Sequence, residues 1–281
     1  PVAGPGTRTA WLAQPNISVD DAGVSNPLAA WRGGPPATTP DLIVWPENPA
    51  PAYFYQDPVF REAVEGVARR FRSHLVFSAV AFRDPAGREP LNSAVLLGPE
   101  GNEIARYDKI YLVPFGEYVP WPFGYLVDKV TREAGDFVAG ERVVVARAGS
   151  HTIGTFICYE SAFGAGVRRF AAAGAEVLVN ISNDGWYGRT WAREQHLLIA
   201  RSRALENGRW LLRATNTGLT AVIDPAGLLR ATLPPDGEGL LAARFDWVAA
   251  RTWYTRWGDW FWWVTVAAAA GLLAGCRRRK A

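Results

Sequence analysis

The chain has 281 residues, 49% of them hydrophobic, 20% charged and 12% aromatic, which is enough for one large domain with a sizeable core and too apolar for a disordered chain. The 20 prolines and 28 glycines are scattered without a repeat, which excludes collagen-like and low-complexity sequences; two cysteines and three histidines at no ligand spacing supply neither a disulfide framework nor a structural zinc site. Of the net charge of +3, Arg277, Arg278, Arg279 and Lys280 carry four, leaving −1 elsewhere, so the basic balance belongs to a tail and not to a nucleic-acid-binding face.

In chain order, short apolar runs at residues 9–14, 42–45, 75–82, 93–97, 143–146, 152–158, 177–181, 210–214 and 219–223 predict strands. Several, such as LIVW and VLVNI, are continuous and not alternating, as in strands buried on both faces. Residues 58–73 place apolar side chains at 59, 60, 63, 64, 67, 68 and 71, a helical period; 163–173 and 192–207 are the other predicted helices. Turns are expected at 85–87, 98–101 and 224–227. Residues 22–40, rich in Pro, Gly and Ala, read as a long loop. Strands alternating with helices define an α/β domain over 1–252.

Residues 260–276 (WFWWVTVAAAAGLLAGC) run for 17 residues without a charge, about 25 Å of helix. Trp253, Tyr254, Trp257, Trp260, Trp262 and Trp263 crowd its start like an interfacial belt, and a basic tail, 277–281, follows. We therefore expect an interfacial linker at 253–259, a transmembrane helix at 260–276, and a cytoplasmic tail with the rest of the chain on the opposite side. A buried C-terminal helix is the plainer alternative. The absence of methionine, even at position 1, leads us to expect that the start of the protein lies ahead of Pro1.

Four positions carry candidate chemistry. Cys158 stands where a strand-like run meets a helix, a place expected to be exposed at the sheet edge, where following N–H groups favour a thiolate and hold an oxyanion. A buried structural thiol is the commoner fate of a lone cysteine, and position alone leaves both open. Glu47 follows the strand at 42–45, at the strand end where α/β sheets build their sites. Lys109 is one of three lysines in a chain that otherwise uses arginine, a compact ammonium in place of a fork. Glu117 lies in an apolar, proline-fixed segment, where burial raises its pKa or demands a partner. A cysteine–histidine pairing is disfavoured: His151 lies seven residues before Cys158, about 23 Å away along a strand, His74 precedes a strand, His196 starts a helix, and none sits in a site-like turn.

The ordered set WPE (45–47), YDKIYLVPFGEYVP (107–120), CYES (158–161) and NISNDGWYG (180–188) resembles the nitrilase superfamily of carbon–nitrogen hydrolases. More narrowly, LVPFGEYVP, the segment 195–227 and the terminal apolar run are similar to the apolipoprotein N-acyltransferase family. The resemblance covers about residues 8–276 and implies an α-β-β-α sandwich followed by one transmembrane helix, with further transmembrane helices ahead of Pro1. Asn48 stands where that family is expected to carry Ser or Thr.

The resemblance implies a Glu47–Lys109–Cys158 triad with Glu117 beside it, and site support from Tyr159, Glu160 and Asn183. The support from these three includes the oxyanion, which Lys109 and the N–H after Cys158 would stabilise. The resemblance implies acyl transfer from a phospholipid to the amine of a diacylglyceryl-cysteine apolipoprotein, through a thioester on Cys158, without a metal or other cofactor. The enzyme would be a monomer of the bacterial inner membrane, with the catalytic domain periplasmic and no nucleic-acid partner. Trp121 and Phe123, with Trp186 and Tyr187, are expected to form an apolar mouth for the acyl chain. An amidase acting on a small amide, or a catalytically silent lipid- or partner-binding domain, are the alternatives.

Overall fold

A computed structural model describes residues 6–17, 39–47, 53–84, 86–121 and 137–278. The chain forms two six-stranded sheets among these residues. The first contains β1 (Arg8–Gln14), β2 (Leu42–Val44), β3 (His74–Phe82), β4 (Pro90–Leu97), β5 (Glu103–Asp108) and β12 (Gly239–Phe245), in the order β12-β1-β2-β3-β4-β5. The second contains β6 (Val145–Ala148), β7 (His151–Ile157), β8 (Val177–Ser182), β9 (Trp210–Thr215), β10 (Ala221–Ile223) and β11 (Leu229–Thr232), in the order β11-β10-β9-β8-β7-β6. β1, β2 and β3 run parallel, as do β7, β8 and β9, and the outer pairs are antiparallel.

Alternation explains why the first sheet reads as continuous apolar runs. Ala10, Leu12, Leu42, Val44, Val76, Ala94 and Leu96 face the second sheet and share its core. Trp11, Ala13, Ile43, Leu75, Phe77, Val95 and Leu97 face the other way, onto Val64, Val67 and Ala68 of α1 (Pro58–Phe71). Both faces are covered, so both sets of positions must be apolar. On the far side of the second sheet lie α2 (Gly164–Ala172) and α3 (Ala192–Asn207), through Val167, Phe170, Leu197, Ala200 and Ala204. The result is the expected four-layer α-β-β-α order.

The sequence pattern misses β5, β11 and β12. β5 and β11 carry charged or exposed residues at most positions (EIARYD, LRAT), because each is the edge of its sheet. β12 (GLLAARF) lacks a clean alternation, yet pairs with β1 along seven residues and ties the end of the sandwich to its beginning.

After the sandwich come α4 (Trp253–Trp257), inside the stretch expected to be a linker, and α5 (Trp260–Arg278). α5 forms over the expected residues, with exposed side chains at 260–274. Among the described residues, however, no helix is long and apolar enough to cross a membrane. Its tryptophans, alanines and glycines are weakly apolar on hydropathy scales, so the expected span is not established by the helix itself. Residues 18–38, most of the expected long loop, and Asn48 lie outside the described residues, as does Phe123 of the expected mouth.

Candidate active site

Glu47 leaves the C-terminal end of β2 two residues after the buried Trp45, and its carboxylate is buried. Lys109 follows β5; its N–H donates to the Asn92 carbonyl at 2.8 Å, prolonging the pairing with β4 and sinking the side chain to 1% exposure. There its Nζ donates to Glu47 Oε1 at 3.3 Å and to Glu117 Oε1 and Oε2 at 3.0 and 2.9 Å. Glu117 is held by its own turn, in which the Val113 carbonyl accepts from the Gly116 and Glu117 N–H groups and the Val113 N–H donates to Glu117 Oε2 at 2.8 Å. The Asn92 amide closes the group, its Nδ2 donating to Glu47 Oε1 at 2.8 Å and to Glu117 Oε1 at 2.7 Å. Two carboxylates thus share one ammonium and one neutral donor.

Burial alone would lower the Lys109 pKa, but the charges of Glu47 and Glu117 outweigh it and hold the ammonium protonated above its ordinary range. No motif marks Asn92, a polar residue in the apolar run PLNSAVLL; an amide facing inward there answers to a buried charge.

Cys158 follows β7 at φ +50° and opens a single turn of 3₁₀ helix, Cys158–Ala162. For a residue with a Cβ the left-handed region costs about 1–2 kcal/mol, so the surroundings must hold it. Glu160 does part of this: it accepts from the Ile157 N–H at 2.8 Å, the Tyr107 hydroxyl at 2.7 Å, and the Ile110 and Tyr111 N–H groups at 2.8 and 3.1 Å. It thereby fastens the Cys158 turn to the segment that carries Lys109. As an acceptor with every contact donated by others, it supports the turn and contributes no donor to an oxyanion. Burial pushes its pKa up against those hydrogen bonds.

The cysteine is 6% exposed, not open at the sheet edge as expected; the His196 side chain of α3 reaches its carbonyl and Ser182 of β8 reaches its thiol. Burial, with the negative charge of Glu47, pushes its thiol up to about 12, while Lys109 and a hydrogen bond from Ser182 pull the other way. A raised thiol pKa favours the protonated form, and Glu47 is the carboxylate whose charge acts on it most.

The residue that follows β8 supplies the next contact. The Asn183 N–H donates to Glu47 Oε2 at 3.1 Å, and the Asn183 Oδ1 accepts from the Gly185 N–H at 3.2 Å. Asp184 is fully buried and receives the Arg213 guanidinium at 2.7 and 3.0 Å, with Ser182 Oγ at 2.9 Å. Burial would raise this carboxyl, but Arg213 and His196 overcome it and hold its pKa below the ordinary range. His196 meets the backbone of Cys158 and not its thiol. His196 is no bystander: its Nδ1 lies 2.9 Å from Asp184 Oδ1 and its Nε2 3.1 Å from the carbonyl oxygen of Cys158. Helical phase, invisible as a turn motif, carries it there from the second turn of α3.

Of the expected mouth, Tyr187 stands edge-on to His196 with ring centroids 5.6 Å apart, and burial, with the charge of Asp184 nearby, raises its phenol. Trp186 is 45% exposed and Trp121 89% exposed, the latter in the segment following Glu117. Glu47, Lys109, Glu117, Asn183 and the turn of Cys158, Tyr159 and Glu160 are thus brought together by hydrogen bonds or charge. Among the described residues no cluster of three or more His, Cys, Asp or Glu could hold a metal ion.

The carbon–nitrogen hydrolase family model matches residues 28–255. This chain belongs to the carbon–nitrogen hydrolase family. Its fold is similar to that of an amidase from Nesterenkonia sp. AN1, at TM-score 0.61 and 22% identity over 85% of this chain and 94% of that one. That structure is of a glutamate-to-glutamine mutant, with acrylamide added at the active site cysteine. It is likewise similar to a carbon–nitrogen hydrolase from Helicobacter pylori G27, at TM-score 0.63 and 20% identity over 84% and 88% of the two chains. In sequence the chain is more similar to curated members of the family. It is 41% identical over 245 residues to the apolipoprotein N-acyltransferase of Geobacter metallireducens, covering 85% of this chain and 46% of the relative. It is 36% identical over 286 residues to that of Ralstonia nicotianae, covering 97% and 53%. The chain spans about half the length of these relatives.

Proposed function

We propose that the protein is an N-acyltransferase that moves a fatty acyl chain from a phospholipid to the N-terminal amine of a diacylglyceryl-cysteine lipoprotein. The observation that carries this reading is a buried cysteine at a strand end, joined by charge to a Glu–Lys pair, in a chain 41% identical to an apolipoprotein N-acyltransferase. Glu47 takes the Cys158 proton as the sulfur attacks the ester carbonyl. Lys109 and the Tyr159 N–H hold the negative charge that develops on oxygen. The C–O bond breaks, the lysophospholipid oxygen takes the proton back from Glu47, and an acyl thioester remains. The lipoprotein amine then adds to the thioester. Its proton passes to Glu47 or Glu117, the C–S bond breaks, and the Cys158 sulfur recovers its proton. Glu117 and Asn92 keep Lys109 and Glu47 in place throughout.

The exposed aromatics of α4 and α5 support a chain that works at a bilayer. We read α5 as its membrane segment, in a bacterial inner membrane, with the sandwich periplasmic and the basic end cytoplasmic, and Trp121 and Trp186 as part of the lipid entrance.

The test is to incubate membranes carrying the protein with phospholipid and look for a hydroxylamine-labile acyl mass on Cys158. It should appear in the parent, vanish in Cys158→Ala, and be discharged by a diacylglyceryl-cysteine peptide faster than by water. Discharge by water alone, at a rate the peptide does not change, would favour the amidase chemistry of the similar folds.

A further inference from the structure

We infer that His196, held by Asp184 and Arg213, is a positioning residue that fixes the Cys158–Tyr159 peptide and thereby aims the Tyr159 N–H at the oxyanion. The inference rests on Cys158 being the nucleophile, as proposed above. A carbonyl oxygen has only lone pairs, so the 3.1 Å contact between His196 Nε2 and the Cys158 carbonyl places a proton on Nε2. The other ring nitrogen lies 2.9 Å from Asp184 Oδ1 and 3.1 Å from Arg213 Nη2. Arg213 is in turn tied to Asn180 Oδ1 and to both oxygens of Asp184. His196, Asp184, Arg213 and Asn180 are all buried, so water offers the ring no alternative partner.

A peptide unit is planar and trans, so the Cys158 carbonyl and the Tyr159 N–H point in opposite directions within one rigid plate. Whatever holds the carbonyl also directs the N–H. The plate needs holding, since Cys158 sits at φ +50° and relaxation to an ordinary φ would swing it. α3 grips the same turn twice. Arg203, two helical turns beyond His196 and on the same face, donates to the Ser161 carbonyl at 3.4 Å.

Two substitutions separate the two nitrogens. His196→Gln reaches as far as Nε2 and keeps a donor for the Cys158 carbonyl. His196→Asn reaches only as far as Nδ1, keeping the Asp184–Arg213 contact and losing the carbonyl. Each is assayed in membranes for Cys158 acylation from phospholipid and, separately, for Cys158 alkylation by iodoacetamide, a displacement that generates no oxyanion. Loss of one oxyanion donor slows chemistry about 10²–10³-fold. His196→Asn should therefore acylate about 10²-fold more slowly while alkylating within about twofold of the parent, and His196→Gln should acylate within about tenfold. Acylation by His196→Asn near the parental rate overturns the inference, as does a parallel fall in acylation and alkylation. Should His196→Asn not accumulate, His196→Gln decides alone, a 10²-fold loss overturning the proposal. Absence of acyl-Cys158 in the parent overturns the nucleophile reading and this inference together, whereas normal parental acylation with an unaffected His196→Asn overturns this inference only.

Discussion

Each sheet brings one buried ionic cluster toward Cys158, and the two are built differently. The first sheet supplies Glu47, Glu117, Lys109 and Asn92, with two carboxylates around one ammonium. The second supplies Asp184 and Arg213, one carboxylate and one guanidinium, with α3 adding His196. The backbone joins them, because the N–H of Asn183, next to Asp184, donates to Glu47. The balanced cluster has its charges matched within one ion pair and is suited to holding a backbone still. The unbalanced one sets two carboxylates around a single ammonium beside the thiol, an arrangement with a spare carboxylate to receive a proton. Lysine serves the second purpose better than arginine, since its compact ammonium contacts both carboxylates at once without a planar fork to satisfy.

Breaking each cluster at its central charge gives the largest effects and the sharpest contrast. Lys109→Met leaves two buried carboxylates uncompensated, and Asp184→Asn leaves a buried guanidinium; each should lower unfolding stability by about 3–5 kcal/mol, measured by urea denaturation in detergent. Their pH signatures should differ. The Asp184 pKa is depressed in the fold, so its contribution is complete above the unfolded value near 4 and is lost as pH falls through the folded one. Asp184→Asn should therefore flatten the acid limb of the stability curve. Lys109 is raised, so its contribution is complete below about pH 10.4 and is lost as pH rises further; Lys109→Met should flatten the alkaline limb instead. Cys158, raised to about 12, acts on that same limb from about pH 8.5 upward, where the unfolded thiol ionises first, and Cys158→Ser should remove that part. Identical pH profiles for Lys109→Met and Asp184→Asn would erase the distinction between the clusters.

Glu117→Gln tests whether the surplus carboxylate matters. A glutamine must turn its NH₂ toward Lys109 Nζ or the Val113 N–H, both donors, so one contact becomes repulsive and about 1–3 kcal/mol is lost. Acyl-enzyme formation should slow while Cys158 alkylation persists. Gly218→Ala probes the other cluster from behind. Gly218 lies at φ +140°, and a Cβ there would meet Asp184 Oδ2 at 2.6 Å. A loss of about 1–3 kcal/mol is expected, with a fall in acylation through His196; unchanged acylation at reduced stability would detach the second cluster from catalysis.

The sandwich was legible because its inner strands are apolar on both faces, and so were Glu47, Lys109 and Cys158, which sit at strand ends within recognisable motifs. The residues that orient them were not. Asn92 is one polar position in an apolar strand, and its partners come from two distant segments. His196 reaches Cys158 by helical phase, and Arg213 reads as a stray charge in WLLRAT until Asp184, 29 residues earlier, is seen against it. Their signal is a buried polar group needing a partner, which becomes visible only when the partner is in place. The burial of Cys158 is illegible for the same reason, since Ser182 of β8 and His196 of α3 reach it only in the assembled fold.

The smallest effect on stability is expected at the surface. α4 is docked by its polar groups: Thr252 Oγ1 donates to the Glu206 carbonyl at 2.6 Å, Thr255 Oγ1 to Asn207 Oδ1 at 3.2 Å, and Arg168 to the Thr255 carbonyl at 2.9 Å. That arrangement leaves Trp253 and Trp257 facing outward, continuous in sequence with the exposed Trp260, Trp262 and Trp263 of α5. None of these rings supports the core, so Trp257→Ser with Trp260→Ser should change unfolding stability by no more than about 0.5 kcal/mol per site. If the rings seat the sandwich at a lipid surface, the same change should weaken recovery with phospholipid vesicles on flotation. It should also slow Cys158 acylation by long-chain phospholipid more than by a short, water-soluble ester, because an acyl chain leaving the bilayer exposes methylenes at about 0.8 kcal/mol each. Equal rates on both substrates and undiminished flotation would leave these tryptophans without a membrane role, and would place the lipid entrance elsewhere on the sandwich.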